Sequence, residues 1–444
     1  MNKSVIQKAI NALFSRGVGL LLQLSLTVIL GRLLGAAGMG VYSLYTSWMM
    51  LFASIADLGM PNYVLRSVSV LDGKNRRQTA IDFTFRVIKV LLVSGLLITA
   101  LVWTLSGLFD FSDDSFDTQW LMLIAVISAV AFMLIRILSE ALKGIRQVNL
   151  ALAVETALLP TGALLVLGVL YLYNWDITAQ NYLVLHLVML LATTFFMIWM
   201  LLRFRPPVSD QANQADQAAR ADQIVNHEDT EQPMLLNRSL LPFWGAGLLN
   251  MWFMNMPIIL LPQFATTEEI GVFAVAYRLI AFASIILVTL ASLFAPKFAR
   301  DFANNDADAL KRGLRQSQIL SLMIFLPMLI VFTFFAEPVL SLFGDEFTAG
   351  KELLWILVVG QTLNAATGLV GFMMNMIHQE KQEFYIQLTT TIMLMLLIFV
   401  MGSQYGVTGV AIAYAMAIVI KNLTSLIFSL YHLNAMQRLA GAMQ

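Results

Sequence analysis

An all-α polytopic membrane protein of about twelve transmembrane helices in two halves is the fold class this sequence predicts. Three observations carry that prediction. The 444 residues are 59% hydrophobic and only 12% charged, against about 25% charged in soluble domains, so the apolar side chains need lipid as part of their solvent. The least hydrophobic stretch, residues 203–238 (RFRPPVSDQANQADQAARADQIVNHEDTEQPMLLNR), divides the chain. With Pro206, Pro207 and no apolar periodicity it reads as a flexible cytoplasmic linker. On either side lie nearly unbroken apolar sequences, residues 1–202 and 239–444, each taken as a six-helix lobe. Thirdly, the halves share a faint internal repeat, described below.

A span needs about 20 apolar residues to cross the hydrocarbon layer. That ruler places six spans before the linker, near residues 12–34, 40–62, 84–108, 119–142, 150–173 and 181–202. Six more follow, near 239–262, 270–295, 317–336, 352–376, 384–402 and 406–430. Residues 5–14 place Lys8 and Asn11 opposite an apolar face, as an interfacial helix or the first turns of span one. No small-residue cleavage site follows them, so no signal peptide is expected.

Orientation follows from the basic residues. With both termini inside, the external loops hold Arg32, Lys351 and many acids, among them Asp110, Asp113, Asp114 and Glu346. Arg66, Lys74, Arg76, Arg77, Lys143, Arg146, Arg203, Arg205, Lys311 and Lys381 fall on inside ends and loops, as the positive-inside rule requires.

The repeat pairs GVYSL (40–44) with GVFAV (271–275), and LFASI (51–55) with AFASI (281–285). Pro61 and Arg66 then pair with Pro296 and Arg300. Spans two and eight thus correspond, and an even number of spans per half makes the repeat parallel rather than inverted.

Charges at bilayer depth cost about 2.5–3.5 kcal/mol each, so they face a cavity or a partner. Arg16 and Arg32 bracket 15 residues, about 22 Å of helix, which is shorter than the hydrocarbon thickness. Arg16 is the one expected to point inward, with Gln23 two turns further on the same side; snorkelling to the inner headgroups is the alternative. Arg278 lies nine residues past Glu269 and nineteen before Lys297 (278 − 269 and 297 − 278), too deep to reach either surface. It needs an anion: a substrate group, or a structural salt bridge to Asp57 or Glu155. Asp57 precedes Leu58, Gly59, Met60 and Pro61, a helix-ending run, and Glu155 precedes Pro160. Both carboxylates are candidates for ion coupling. Arg136 and Glu140 are spaced for a local pair, and Lys421 and His186 are weaker candidates for a cavity lining. Asn250 and Asn255, with Pro257 and Pro262, interrupt span seven and are candidate cavity residues.

Several functions are excluded. Zero net charge gives no nucleic-acid footprint, and the absence of cysteine removes disulfides and thiolate metal sites. No phosphate-binding G-x-x-x-x-G-K-[ST] loop, G-x-S-x-G or H-E-x-x-H occurs. No cofactor, metal site or catalytic residue is expected, and transport is favoured over enzymatic chemistry.

GRLLGAAGMGVYSL (31–44) with ADLGMP (56–61) resembles the opening of bacterial polysaccharide and oligosaccharide flippases, including O-antigen flippases. EEIGVFAVAYRL (268–279) with APKFAR (295–300), LSEALKGIRQ (138–147) and YGVTGVAIAY (405–414) extend the resemblance over both halves. It implies a multidrug-and-toxin-extrusion-like fold, two lobes around a central cavity, and alternating access. The implied substrate is an undecaprenyl-diphosphate-linked oligosaccharide moved from the cytoplasmic to the periplasmic leaflet of the bacterial inner membrane. Arg16 and Arg278, on opposite lobes, would compensate the diphosphate charge. The resemblance also implies contact with membrane lipids and with polysaccharide polymerase or assembly proteins. The alternative is a multidrug/cation antiporter of the related exporter branch, which would place carboxylates deep in spans one or seven.

Overall fold

The computed structural model describes residues 3–105, 117–206 and 240–442, the side chains of 3–16, 240–243, 283–286, 288, 289, 292 and 439–442 excepted. Among these residues every regular element is helical. Most of the linker expected over 203–238 lies outside the described residues.

The helices are α1 (Lys3–Ala56), α2 (Met60–Gly73), α3 (Arg77–Leu105), α4 (Thr118–Gly144), α5 (Val148–Ala153), α6 (Leu159–Leu172) and α7 (Ala179–Arg203). Beyond the linker come α8 (Leu240–Leu260), α9 (Thr267–Ala303), α10 (Ala307–Phe334), α11 (Ala336–Ser341), α12 (Lys351–Thr367), α13 (Val370–Met376) and α14 (Glu380–Ala442). Among the described residues nine helical stretches are long and apolar enough to cross a membrane. Two of them, Gly17–Ala56 and Glu380–Arg438, have 40 and 59 residues, about 60 and 88 Å of helix, enough for two crossings each. With α9, the expected count of about twelve spans is recovered.

The long helices are interrupted by glycine where a side chain would be strained. α1 breaks at Gly35 (φ 67°, ψ −179°) and α14 at Gly406 (φ 55°, ψ −135°), both in the positive-φ region. A Cβ on Gly409 would lie 2.0 Å from the Met401 carbonyl oxygen. In a straight helix those residues are about 12 Å apart, so α14 turns back on itself at Gly406.

The chain forms two compact units, residues 1–29 with 45–251, and 30–44 with 252–444. Residues 30–44 belong to the second of these units and the described residues 240–251 to the first. Glycine is the physical reason that 30–44 packs within the second unit. A Cβ on Gly271 would meet the Ala36 carbonyl oxygen at 1.8 Å, and one on Gly40 would meet the Thr267 carbonyl oxygen at 2.0 Å. The repeat-related Gly40 and Gly271 therefore let two backbones cross almost in contact, within the second unit. Arg32 Nε donates to the Leu342 carbonyl at 2.7 Å, and the Glu346 carboxylate accepts from Ala36 N, at the break made by Gly35, at 2.8 Å.

In the first unit α1 ends at Ala56 and α2 begins at Met60. Leu58 (φ 50°) and Gly59 (φ 73°) turn the chain between them, with Pro61 in the first turn of α2. Trp244 covers this break: its indole N–H donates to the Ser54 carbonyl at 2.9 Å. α4 is capped by Asp117, which accepts from the amides of Gln119 and Trp120. In the second unit, Thr266 and Glu269 form a reciprocal capping box at the start of α9. α9 then runs through Pro296 without a break, whereas its counterpart Pro61 follows one. Pro257 is likewise absorbed inside α8, and of the interruption expected at Pro257 and Pro262 the second is seen, as a 3₁₀ turn over Leu261–Gln263. Phe298, Leu310, Leu314, Phe325 and Met373 form a buried cluster at the base of α9, α10 and α13.

Candidate functional site

In the first unit the ionisable groups gather on one stripe of α4. Arg136, Glu140 and Lys143 are spaced by four and three residues, so they project from one helical face. Arg136 Nη1 donates to Asp57 Oδ2 at 2.8 Å. Lys143 Nζ lies 2.9 Å from Glu140 Oε1 and 2.8 Å from Glu155 Oε2, and the Ser139 hydroxyl donates to Glu155 Oε2 at 3.2 Å. The local Arg136–Glu140 pair expected from spacing is not what forms. The break after Ala56 presents Asp57 to Arg136, and Lys143 takes Glu140 one turn later.

Glu155 sits in a wide π-helical turn, Val154–Leu158, between α5 and α6. Pro160 supplies a cause, since it cannot donate to the carbonyl four residues earlier and its ring crowds that carbonyl. Such bulges inside helices concentrate at functional sites.

Asp57 is the more enclosed carboxylate. Its side chain is 7% exposed, against 31% for Arg136 and 37% for Glu155. Its other oxygen, Oδ1, accepts from the Gly59 amide at 2.9 Å.

In the second unit Arg278 stands twelve residues past Thr266, about 18 Å along α9 from its capped start. The half-buried guanidinium lies over the Tyr42 ring, 4.7 Å from its centroid, and Nη2 is 3.4 Å from Ser43 Oγ. Tyr42 and Ser43 come from the segment that the Gly40–Gly271 crossing brings in, so the tight packing sets the arginine's surroundings. Next to it, Tyr277 donates its hydroxyl to the Met254 carbonyl at 2.7 Å and meets the Tyr414 ring edge-on. Deeper in α14, Lys421 lies 4.0 Å from Glu383 and 5.8 Å from the Phe253 ring centroid, while Ser425 donates to Glu383 at 2.8 Å.

The structure distributes the predicted residues unevenly. Asp57 and Glu155 both come to α4, bound to Arg136 and Lys143, so neither is the salt-bridge partner foreseen for Arg278. Gln23 is partly exposed, with its carbonyl accepting from Thr27 Oγ1; Asn250 is exposed and Asn255 buried in α8. Arg16's side chain lies outside the described residues. His186 pairs with the Tyr45 hydroxyl at 2.9 Å. Arg136 was visible in the sequence as a charge on an apolar helix and Lys143 as an inside-end residue; Lys143–Glu140 is at helical spacing, but Asp57 lies 79 residues from Arg136 and Glu155 beyond the end of α4, where no spacing rule reaches.

A family model described as polysaccharide biosynthesis protein matches residues 239–352. The probable low-salt glycan biosynthesis flippase Agl15 of Haloferax volcanii is 20% identical over 177 residues, 40% of this chain. That match spans 37% of the flippase's own length. Among solved structures, an inward-facing multidrug resistance MATE family transporter of the MOP superfamily aligns with TM-score 0.72 and 15% identity, covering 97% of this chain and 99% of that one. A MOP superfamily transporter from Pyrococcus furiosus Vc1 aligns with TM-score 0.64 and 17% identity over 98% and 96% of the two chains. The fold is therefore the all-α multi-pass fold seen in those transporter structures. Over residues 239–352 the chain is similar to polysaccharide biosynthesis proteins, in line with the flippase resemblance read from residues 268–300.

Proposed function

We propose that this protein flips a lipid-linked oligosaccharide across the membrane by alternating access of its two six-helix lobes about a central cavity. In the finer reading, the substrate is an O-antigen or other polysaccharide repeat unit on undecaprenyl diphosphate. It passes from the cytoplasmic to the periplasmic leaflet of a bacterial inner membrane, with both termini and the 203–238 linker cytoplasmic. Polysaccharide polymerase or assembly proteins receive it. Arg278 is the observation that carries this reading. A guanidinium far along a membrane helix, resting on a tyrosine face, is complementary to a diphosphate that must leave the headgroup layer. Arg16, Gln23, Asn250 and Asn255 complete the proposed cavity set, and Asp57 and Glu155 the coupling set. The cation-exporter alternative loses support, since it calls for deep carboxylates offered to a cationic drug. Asp57 and Glu155 are each bound to a basic residue of α4.

The test is transport of a lipid-diphosphate-linked oligosaccharide in reconstituted vesicles, with complementation of a flippase-deficient strain alongside. Arg278→Ala should lower the transport rate by about 100-fold, the scale of one lost charge-assisted contact of 2–3 kcal/mol, while Arg278→Lys retains most of it. Full transport by Arg278→Ala at equal protein levels would remove the arginine from the mechanism.

A further inference from the structure

Asp57 and Arg136 form more than a tie between two helices. Of the five N–H donors on the guanidinium, one is given to Asp57 among the described contacts, through Nη1 at 2.8 Å. The arginine is partly exposed and the carboxylate behind it is enclosed, with its second oxygen on the amide of Gly59. The cation is thus presented outward and its counter-ion is held from behind.

The carboxylates on neighbouring elements are paired elsewhere. On α4, Glu140 is bound to Lys143, which also holds Glu155 of the π turn. On α2, Asp72 is bound to Arg77 and lies 3.5 Å from Arg146, while Arg66 is exposed. On α3, Asp82 is bound to Arg205, Arg86 and Lys89 are exposed, and Ser94 Oγ donates to the Ala56 carbonyl. From α8 the Trp244 indole donates to the Ser54 carbonyl.

Charge counting at the pair then limits what can bind. As it stands, carboxylate and guanidinium sum to zero. An anion added alone leaves one negative charge inside the membrane, and a proton added alone leaves one positive charge; both states are penalised there. Proton and anionic charge added together return the sum to zero. We propose that Asp57 and Arg136 form a coupled proton–anion site, in which Asp57 accepts a proton as a phosphate-type anion takes Arg136. A hydronium ion from the bulk gives its proton to Asp57 Oδ2, one O–H bond breaking as the other forms and water leaving; the ion pair opens and N–H···O–P hydrogen bonds replace it, with no other covalent bond made or broken. The released carboxyl adjoins Leu58 and Gly59, the two positive-φ residues of the break, so occupancy of the site is felt at the hinge between α1 and α2. The identification of the anion with the lipid diphosphate rests on the function proposed above; the coupling does not.

The test uses the full-length chain in detergent with methyl sulfate as probe, a tetrahedral monoanion whose charge stays constant between about pH 8 and about pH 5.5, the range below which free carboxylates titrate. An Arg278→Ala background removes the proposed anion contact of the second unit. Binding should tighten about tenfold at the lower pH, and methyl sulfate addition should take up protons from a weak buffer, as linkage requires. Asp57→Asn should bind tightly at both pH values with no proton uptake. Arg136→Ala should lose the pH-dependent binding, and Arg136→Lys should keep it. Asp57→Ser repeats the measurement if the Asn variant does not fold. Retention of pH dependence in both Asp57 variants, or parental binding by Arg136→Ala, would overturn the proposal. Vesicle transport separates the two ideas: coupling without oligosaccharide transport removes the substrate reading alone, and transport with uncoupled binding removes the site alone.

Discussion

At the scale of single residues, glycine decides how closely the backbones meet. Gly271 lies where an added Cβ would overlap the Ala36 carbonyl oxygen at 1.8 Å, whereas Gly168 on α6 has open space around it. Gly271→Ala should destabilise the protein by about 3 kcal/mol, because two helices must separate to admit one methyl group. Gly168→Ala should be neutral or stabilise by about 1 kcal/mol through helix propensity. Thermal unfolding in detergent checks the pair. The repeat was legible because both halves keep the glycine in the same setting, GVYSL and GVFAV. That the two glycines face one another was not, since a one-dimensional pattern marks a requirement for small size without naming the surface that imposes it.

Elements were legible in proportion to how much of their cause is local. The caps are local. Thr266 and Glu269 stand three residues apart at the head of α9, and the structure joins them in both directions. Replacing Glu269 by Ala should cost about 1 kcal/mol, read as a lower unfolding temperature, with Glu269→Gln recovering most of it. The break at 57–59 was also local, written in Asp57-Leu58-Gly59-Met60-Pro61. Of the two prolines expected to interrupt span seven, Pro262 lies in the 3₁₀ turn and Pro257 does not break α8, because a proline removes one hydrogen bond without dictating a break. The charge stripe on α4 shows the same boundary. Spacing predicted Arg136 with Glu140, but an ion pair goes to the oxygen that packing presents, and that is Asp57, 79 residues away.

For the whole molecule, composition sufficed for the solvent and the number of crossings. That 30–44 belongs to the same compact unit as 252–444 was beyond it, since 30–44 is no less apolar than its flanks. The proposed orientation has a direct check, because the chain has no cysteine of its own. Cysteine introduced at Lys351 should react with a membrane-impermeant maleimide added outside intact cells. Cysteine introduced at Arg146, which is exposed at the far end of α4, should react only after the membrane is opened. The reverse pattern would invert the assigned topology.

The reversal of α14 on a single glycine bears on how the chain is made. Residues 380–405 and 407–442 are joined at Gly406 with only Ser403, Gln404 and Tyr405 exposed at the turn. So short a connection leaves little hydrophilic chain to stop between one crossing and the next during synthesis. Insertion of the two as a hairpin is the expected route, and a nascent chain arrested before Gly406 would lack the partner segment whose Gly409 packs against Met401.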